Sequence, residues 1–228
     1  MCLSERASIV SFFFGIIGSL LLISLGGVNN KIIGYYFIYI SFMQIIDFLL
    51  WRHQTCDDYN RMISLLGMLL NHSQPIVLGM IILLFNPIHK NIIYTLMLVY
   101  LCAVIPYSLP FVTDKKLQCT LKGKENHLLW NWNLLKYKKM MYFIYLFVVC
   151  GMFIYGLTNF KIGLFVAFIA VITYATSFLI YTQKYLGTMW CYYTGFIPII
   201  SYFIQYFIFH TVLQNYQVVK RFKQILYY

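Results

Sequence analysis

Seven long apolar runs dominate this sequence. They cover residues 8–28, 32–51, 61–85, 91–112, 139–158, 161–181 and 186–211. Each is close to the length, about 20 residues, that an α-helix needs to cross ~30 Å of hydrocarbon. In such a solvent every backbone N–H and C=O must be satisfied within its own segment, so the runs predict helices. The two-residue alternation of an outer-membrane barrel is absent. Composition agrees. Hydrophobic residues make up 61% of the 228 and charged residues only 10%, where a soluble domain carries about 25%. The expected fold class is therefore all-α. More closely, it is a polytopic integral membrane protein, one bundle of about seven transmembrane helices spanning 1–228. The first run is too long for a signal-peptide core and lacks a basic leader, so it reads as a retained helix.

The connections carry the charge. The net charge of +11 would suggest nucleic acid in a soluble protein. Here no basic run exceeds Lys138-Lys139 with Lys136 nearby, and loop lysines suit anionic headgroups. The lipid bilayer is the expected partner and nucleic acid is not. Most connections are tight, which makes successive helices antiparallel neighbours. The exception is 113–138. There, Lys122-Gly123-Lys124-Glu125-Asn126 divides two short apolar stretches, the pattern of a hairpin with a Gly-containing turn. The competing reading, which carries more weight here, places Trp130 and Trp132 at headgroup level with the lysines reaching outward. The tail 212–228 reads as an amphipathic surface helix.

Eleven Lys and Arg fall on the N-terminal side of this topology and six on the other. The positive-inside rule then favours a cytoplasmic N-terminus. Seven of the eleven lie between 115 and 139, so the preference reverses without that stretch.

Polar residues inside the runs are expensive and gather on faces. In the second run Ser41, Gln44, Asp47 and Trp51 fall within an arc of about 120° at helical spacing. Asp47 is the one acidic residue within a run, either a site group or a carboxylate reaching the interface beside Arg52 or Arg61. In the third run Asn60, Ser64, Gly67, Asn71 and Gln74 share an arc of about 80°. Pro75 lies near the middle and frees the carbonyl of Asn71. Irregular backbone at that depth needs protein or a cavity around it. His72 lies about 100° from the stripe, so it should contact another helix. It reads as a hydrogen-bonding strut more than a metal ligand. In the last run Trp190, Thr194, Pro198, Ser201 and Gln205 follow one face. Ser11, Gly15 and Ser19 have small-xxx-small spacing, a packing device.

The six cysteines form no CxxC pair, so no local metal knuckle is expected. Cys2, Cys56, Cys119 and Cys191 fall at one face. They are candidates for disulfides in an oxidising compartment, for a metal site with His53 or His127, for reactive thiols, or for unrelated roles. Cys102 and Cys150 read as inert packing residues.

The ordered set of motifs resembles an uncharacterised family of seven-helix membrane proteins from large DNA viruses, with related bacterial proteins. The carrying residues are Met1-Cys2-Leu3-Ser4-Glu5-Arg6-Ala7-Ser8 for an MCxSxxxS opening, then Gln44 and Asp47 before Trp51. Next come Cys56 and Asn60, His72-Ser73-Gln74-Pro75 and Trp190-Cys191. The departures are an Asp where Glu is expected and a His-to-Gln spacing one residue tighter. The resemblance implies topology and a membrane of the host or virion, and assigns no activity.

The leading expectation is a non-enzymatic protein without a cofactor or metal. Its small polar cavity between the second, third and seventh helices binds or passes a small solute, ion or lipid headgroup. Candidate residues are Gln44, Asp47, Asn71, His72, Gln74, Pro75 and Trp190. The alternatives are a membrane-embedded thiol–histidine hydrolase or acyltransferase using Cys2 or Cys191, and a structural or assembly protein whose stripes serve packing alone.

Overall fold

The computed structural model describes residues 4–181 and 184–207. Cys2, the tail 212–228 and the end of the last apolar run lie outside the described residues. The fold is an all-α bundle. Its helices are α1 (Glu5–Ser24), α2 (Val28–Arg52), α3 (Asp58–Phe85), α4 (Lys90–Thr113), α5 (Lys138–Gly156), α6 (Phe160–Ile180) and α7 (Leu186–Thr194). A further helical stretch covers 197–207. Six helices, α1 to α6, are long and apolar enough to cross a membrane.

Local chemistry sets the boundaries. Ser4 caps α1 by accepting the Ala7 N–H at 3.2 Å. Asp57 caps α3 by accepting the Asn60 N–H at 3.0 Å. That bond and a second one to His53 hold the Asp57 carboxyl below the usual carboxylate range. The last apolar run, expected as one helix, is interrupted at Gly195-Phe196. Pro198 cannot donate to the Thr194 carbonyl, which removes the bond that would carry the helix through. In α3 the helix continues through Pro75.

Small residues set the helix spacing. A Cβ at Gly163 of α6 would overlap the Phe153 carbonyl oxygen of α5. The two backbones therefore touch where α5 and α6 cross. Gly163→Ala is expected to cost about 1–3 kcal/mol by overpacking, although alanine is the better helix former by about 1 kcal/mol. Reversible unfolding in mixed micelles would measure it, and a stabilising result would contradict the close crossing.

At a rise of 1.5 Å per residue, the 19 residues of α5 span about 28 Å and the 28 residues of α3 about 42 Å. Gly156 of α5 packs on Ile82 of α3, which aligns the two helices at one end of the bundle. At the other end α3 therefore overshoots α5 by about 9 Å. The connection 114–137 fills that step. Leu121–Lys122 pairs antiparallel with Leu128–Leu129, so the hairpin reading of this stretch holds. The headgroup-level reading of its tryptophans does not. Trp130 is 1% exposed and Trp132 fully buried. Their rings stack 5.1 Å apart and reach into the bundle, because the step left by the short α5 is an apolar vacancy that two indoles fill.

Candidate functional site

A cavity of about 60 Å³ lies between the helices of the bundle. Roughly four to six waters would fill that volume. Its walls come from α2 to α7, from Asn133 and from Ile197 of the following stretch, a wider set than the second, third and seventh runs alone. Of the residues singled out from the sequence, Asn71, His72, Gln74 and Trp190 line it. Cys191 lines it too. Gln44, Asp47 and Pro75 are buried but lie outside its lining.

His72 works as the strut expected of it, and it does reach a different helix. Its Nδ1 lies 2.7 Å from Ser108 Oγ of α4. Its Nε2 lies 3.4 Å from Asn133 Oδ1. The Ser108 hydroxyl also donates to the Val104 carbonyl at 2.7 Å, so in the first contact the ring donates Nδ1–H and the serine oxygen accepts. Asn133 Nδ2 in turn donates to Asn71 Oδ1 at 3.3 Å. The connection after the hairpin is thus fastened to the midplane of α3. Gly187 permits this, since a Cβ there would lie 2.5 Å from Asn133 Nδ2 and 2.7 Å from the Tyr142 hydroxyl.

Deeper in, the Tyr145 hydroxyl donates to Gln74 Oε1. Among the described residues Gln74 Nε2 has no partner, and neither has the Tyr100 hydroxyl. Both side chains line the cavity and are at most 1% exposed. Trp190 stands against the Tyr145 and Tyr174 rings at 5.4 and 5.3 Å. Its indole N–H donates to Thr173 Oγ1 at 3.0 Å.

Asp47 serves the lid and not the cavity. It is fully buried and accepts the Trp130 indole N–H at 2.9 Å. Two polar residues of the α3 stripe near this end, Asn60 and Ser64, hold the same lid. The Ser64 hydroxyl donates to Thr120 Oγ1 at 2.9 Å, and Asn60 clamps the backbone. Asn60 Nδ2 donates to the carbonyls of His53 at 2.8 Å and Thr120 at 3.0 Å. Its Oδ1 accepts the Thr120 N–H at 2.9 Å. Gly67 completes the stripe: a Cβ there would lie 3.0 Å from Trp132 and 2.9 Å from Ile46. Gln44 is 1% exposed, and among the described residues both its amide atoms are unpartnered.

The cysteines divide. Cys56 and Cys119 form a disulfide across 63 residues, with Cα atoms 5.6 Å apart. It ties the α2–α3 connection to the base of the hairpin. Cys102, Cys150 and Cys191 are free. Cys191 and His72 share a cavity, yet no hydrogen bond joins them among the described residues, and both ring nitrogens of His72 are engaged elsewhere. Among the described residues no three His, Cys, Asp or Glu side chains gather as metal ligands. His53 pairs instead with Asp57 at 2.6 Å. His127 packs edge-on to Tyr181 and Tyr185, and burial lowers its pKa.

Sequence reasoning missed the tyrosines of the cavity, Tyr36, Tyr100, Tyr107, Tyr142 and Tyr145, and also Asn133 and Lys138. A signal was present in α5, where Lys138, Met141, Tyr142, Tyr145 and Val149 recur at spacings of three and four on one face. No protein-family model, curated protein or solved structure matches the chain.

Proposed function

We propose that the chain is a polytopic integral membrane protein whose last helical stretch is a seventh crossing. In this reading its central cavity binds or passes a small molecule and performs no chemistry on it. Membership of the viral seven-helix family belongs to the same proposal and rests on the ordered motifs. Membrane residence is supported by the outer surface. Phe143, Leu84 and Leu179 are 69%, 75% and 81% exposed, on helices whose interiors are already filled. Large apolar surfaces of this kind mark interaction with lipid or protein.

The observation that carries the binding reading is the pair of unpartnered groups, Gln74 Nε2 and the Tyr100 hydroxyl, both buried and both on the cavity wall. A buried donor without a partner costs about 1–3 kcal/mol. A ligand or its accompanying water supplies the partner.

Tyr100→Phe tests this directly. In the empty protein, held in phosphatidylcholine nanodiscs, it should be stabilising by about 1–3 kcal/mol, because it deletes an unpaired polar group. The same change, and Gln74→Leu, should reduce the small molecules retained through purification, as read by mass spectrometry. A destabilised Tyr100→Phe protein with an unchanged retained set would contradict the proposal and favour packing alone.

The disulfide bears on orientation. Such bonds persist on the oxidising side of a membrane. The lysine count leans towards a cytoplasmic N-terminus only through the connection that this disulfide pins. We therefore place the N-terminal face, with the hairpin and its lysines, on the extracytoplasmic or lumenal side.

A further inference from the structure

We propose that the cavity is built for a small neutral carbonyl compound, the size of a short ketone or amide, whose oxygen is held by Gln74 and Tyr100. This rests on the reading that the cavity binds a ligand, and adds the ligand's size, charge and functional group.

Size comes from the volume. About 60 Å³ is the room of roughly four to six waters, so the ligand has about that number of non-hydrogen atoms. A sugar, a nucleotide or a lipid tail does not fit.

Charge comes from the lining. No Asp or Glu belongs to it, and the two orphaned groups offer an N–H and an O–H, so nothing there selects a cation. Lys138 is the one Lys or Arg of the lining and is only half-buried. Much of the wall is apolar, with Phe37, Ile40, Val149, Phe153 and Val166 among its residues. An anion taken from water into such surroundings loses more hydration free energy than two neutral hydrogen bonds return. The balance favours an uncharged ligand.

The functional group comes from the donors. The Tyr145 hydroxyl of α5 donates to Gln74 Oε1 of α3. That bond fixes which end of the amide is taken, and leaves the NH2 group for the cavity. Donation into the amide oxygen also polarises the amide and makes its N–H a stronger donor. Tyr100 of α4 stands edge-on to the same Tyr145, with ring centroids 6.1 Å apart. Gln74 and Tyr100 thus flank one tyrosine from two helices, and both line the same small volume. Each keeps a donor unused among the described residues. A carbonyl oxygen has two lone pairs, so a single oxygen takes both donors.

The test uses the full chain in phosphatidylcholine nanodiscs and quenching of Trp190 fluorescence by acrylamide, itself a small neutral carbonyl compound. Trp190→Phe gives the background from the other tryptophans. Acetamide, acetate and acetamidinium share one shape and differ in charge, and benzamide exceeds the volume. The expected result is saturable quenching of Trp190 that acetamide relieves and the other three do not. Tyr100→Phe and Gln74→Leu should each weaken acrylamide roughly two- to tenfold, the effect of one neutral hydrogen bond, and Lys138→Gln should leave it unchanged. Tyr100→Phe decides the matter if Gln74→Leu does not fold. Relief by acetate or acetamidinium as strong as by acetamide, or loss of binding in Lys138→Gln, overturns the neutral assignment and with it the proposal. Equal relief by benzamide overturns it on size. Quenching that never saturates, or that Tyr100→Phe leaves unchanged, overturns it outright. In each of these cases a stabilising Tyr100→Phe in the empty protein leaves the binding reading standing, whereas a destabilising one removes both.

Discussion

Replacing Trp132 by alanine is expected to cost about 3–5 kcal/mol of stability, the range for truncating a fully buried aromatic. The indole has no route to relax. It stacks on Trp130, meets the edge of Phe111 at 5.8 Å and fills the space that Gly67 leaves bare. The residue next in sequence, Asn133, holds His72 and Asn71. Loss of the indole therefore loosens the attachment of the lid to the cavity wall as well as emptying a volume. Two readouts separate these effects. Unfolding reports the energy. Labelling of Cys191 by a membrane-impermeant thiosulfonate reports access, in a protein whose other free cysteines are serine. Trp132→Ala should speed that labelling severalfold from the N-terminal face, and Trp132→Phe should restore most of the stability. Unchanged labelling together with a loss below about 1 kcal/mol, the level of a surface substitution, would mean that the tryptophans do not plug the cavity.

The same tryptophans show where sequence reading stops. Apolar run length located α1 to α6 to within a few residues, because spanning length and backbone satisfaction are local constraints. Helical spacing put Asn60, Ser64, Gly67, Asn71 and Gln74 on one buried face, and the structure buries all five. What spacing does not contain is the partner. Asn60 and Gly67 face the lid, whereas Asn71 and Gln74 face the cavity, and the change of partner along one stripe is a tertiary fact. Asp47, which the sequence left as either a site group or a carboxylate reaching the interface, accepts the Trp130 indole N–H. The tryptophans follow the headgroup rule only when nothing deeper accepts them. Here the short α5 leaves a step beside the longer α3, and that length difference decides their place.

Breaking the Cys56–Cys119 disulfide should have the second large effect. Closing a loop of 63 residues lowers the entropy of the unfolded chain by an amount equivalent to about 4 kcal/mol. Helices already confined to a bilayer have less freedom to lose, so the measured value should fall below that figure. The bond also acts locally. It joins the connection before α3 to the residue preceding Thr120, which Asn60 clamps, and Asn131 Nδ2 donates to the Cys119 carbonyl at 2.7 Å. The covalent link and the amide clamp restrain the same few residues. Cys56→Ser and Cys119→Ser should therefore each destabilise to a similar extent, with the double variant no worse than either. Adding Asn60→Ala should cost more than the separate losses predict, the mark of coupled contacts. Maleimide-polyethylene glycol applied to membranes under non-reducing conditions should leave Cys56 and Cys119 unmodified in the native chain and mark the remaining partner in each single variant. Ready labelling of both in the native chain, or additive losses in the double variant, would remove the disulfide and with it the placement of the N-terminal face on the oxidising side.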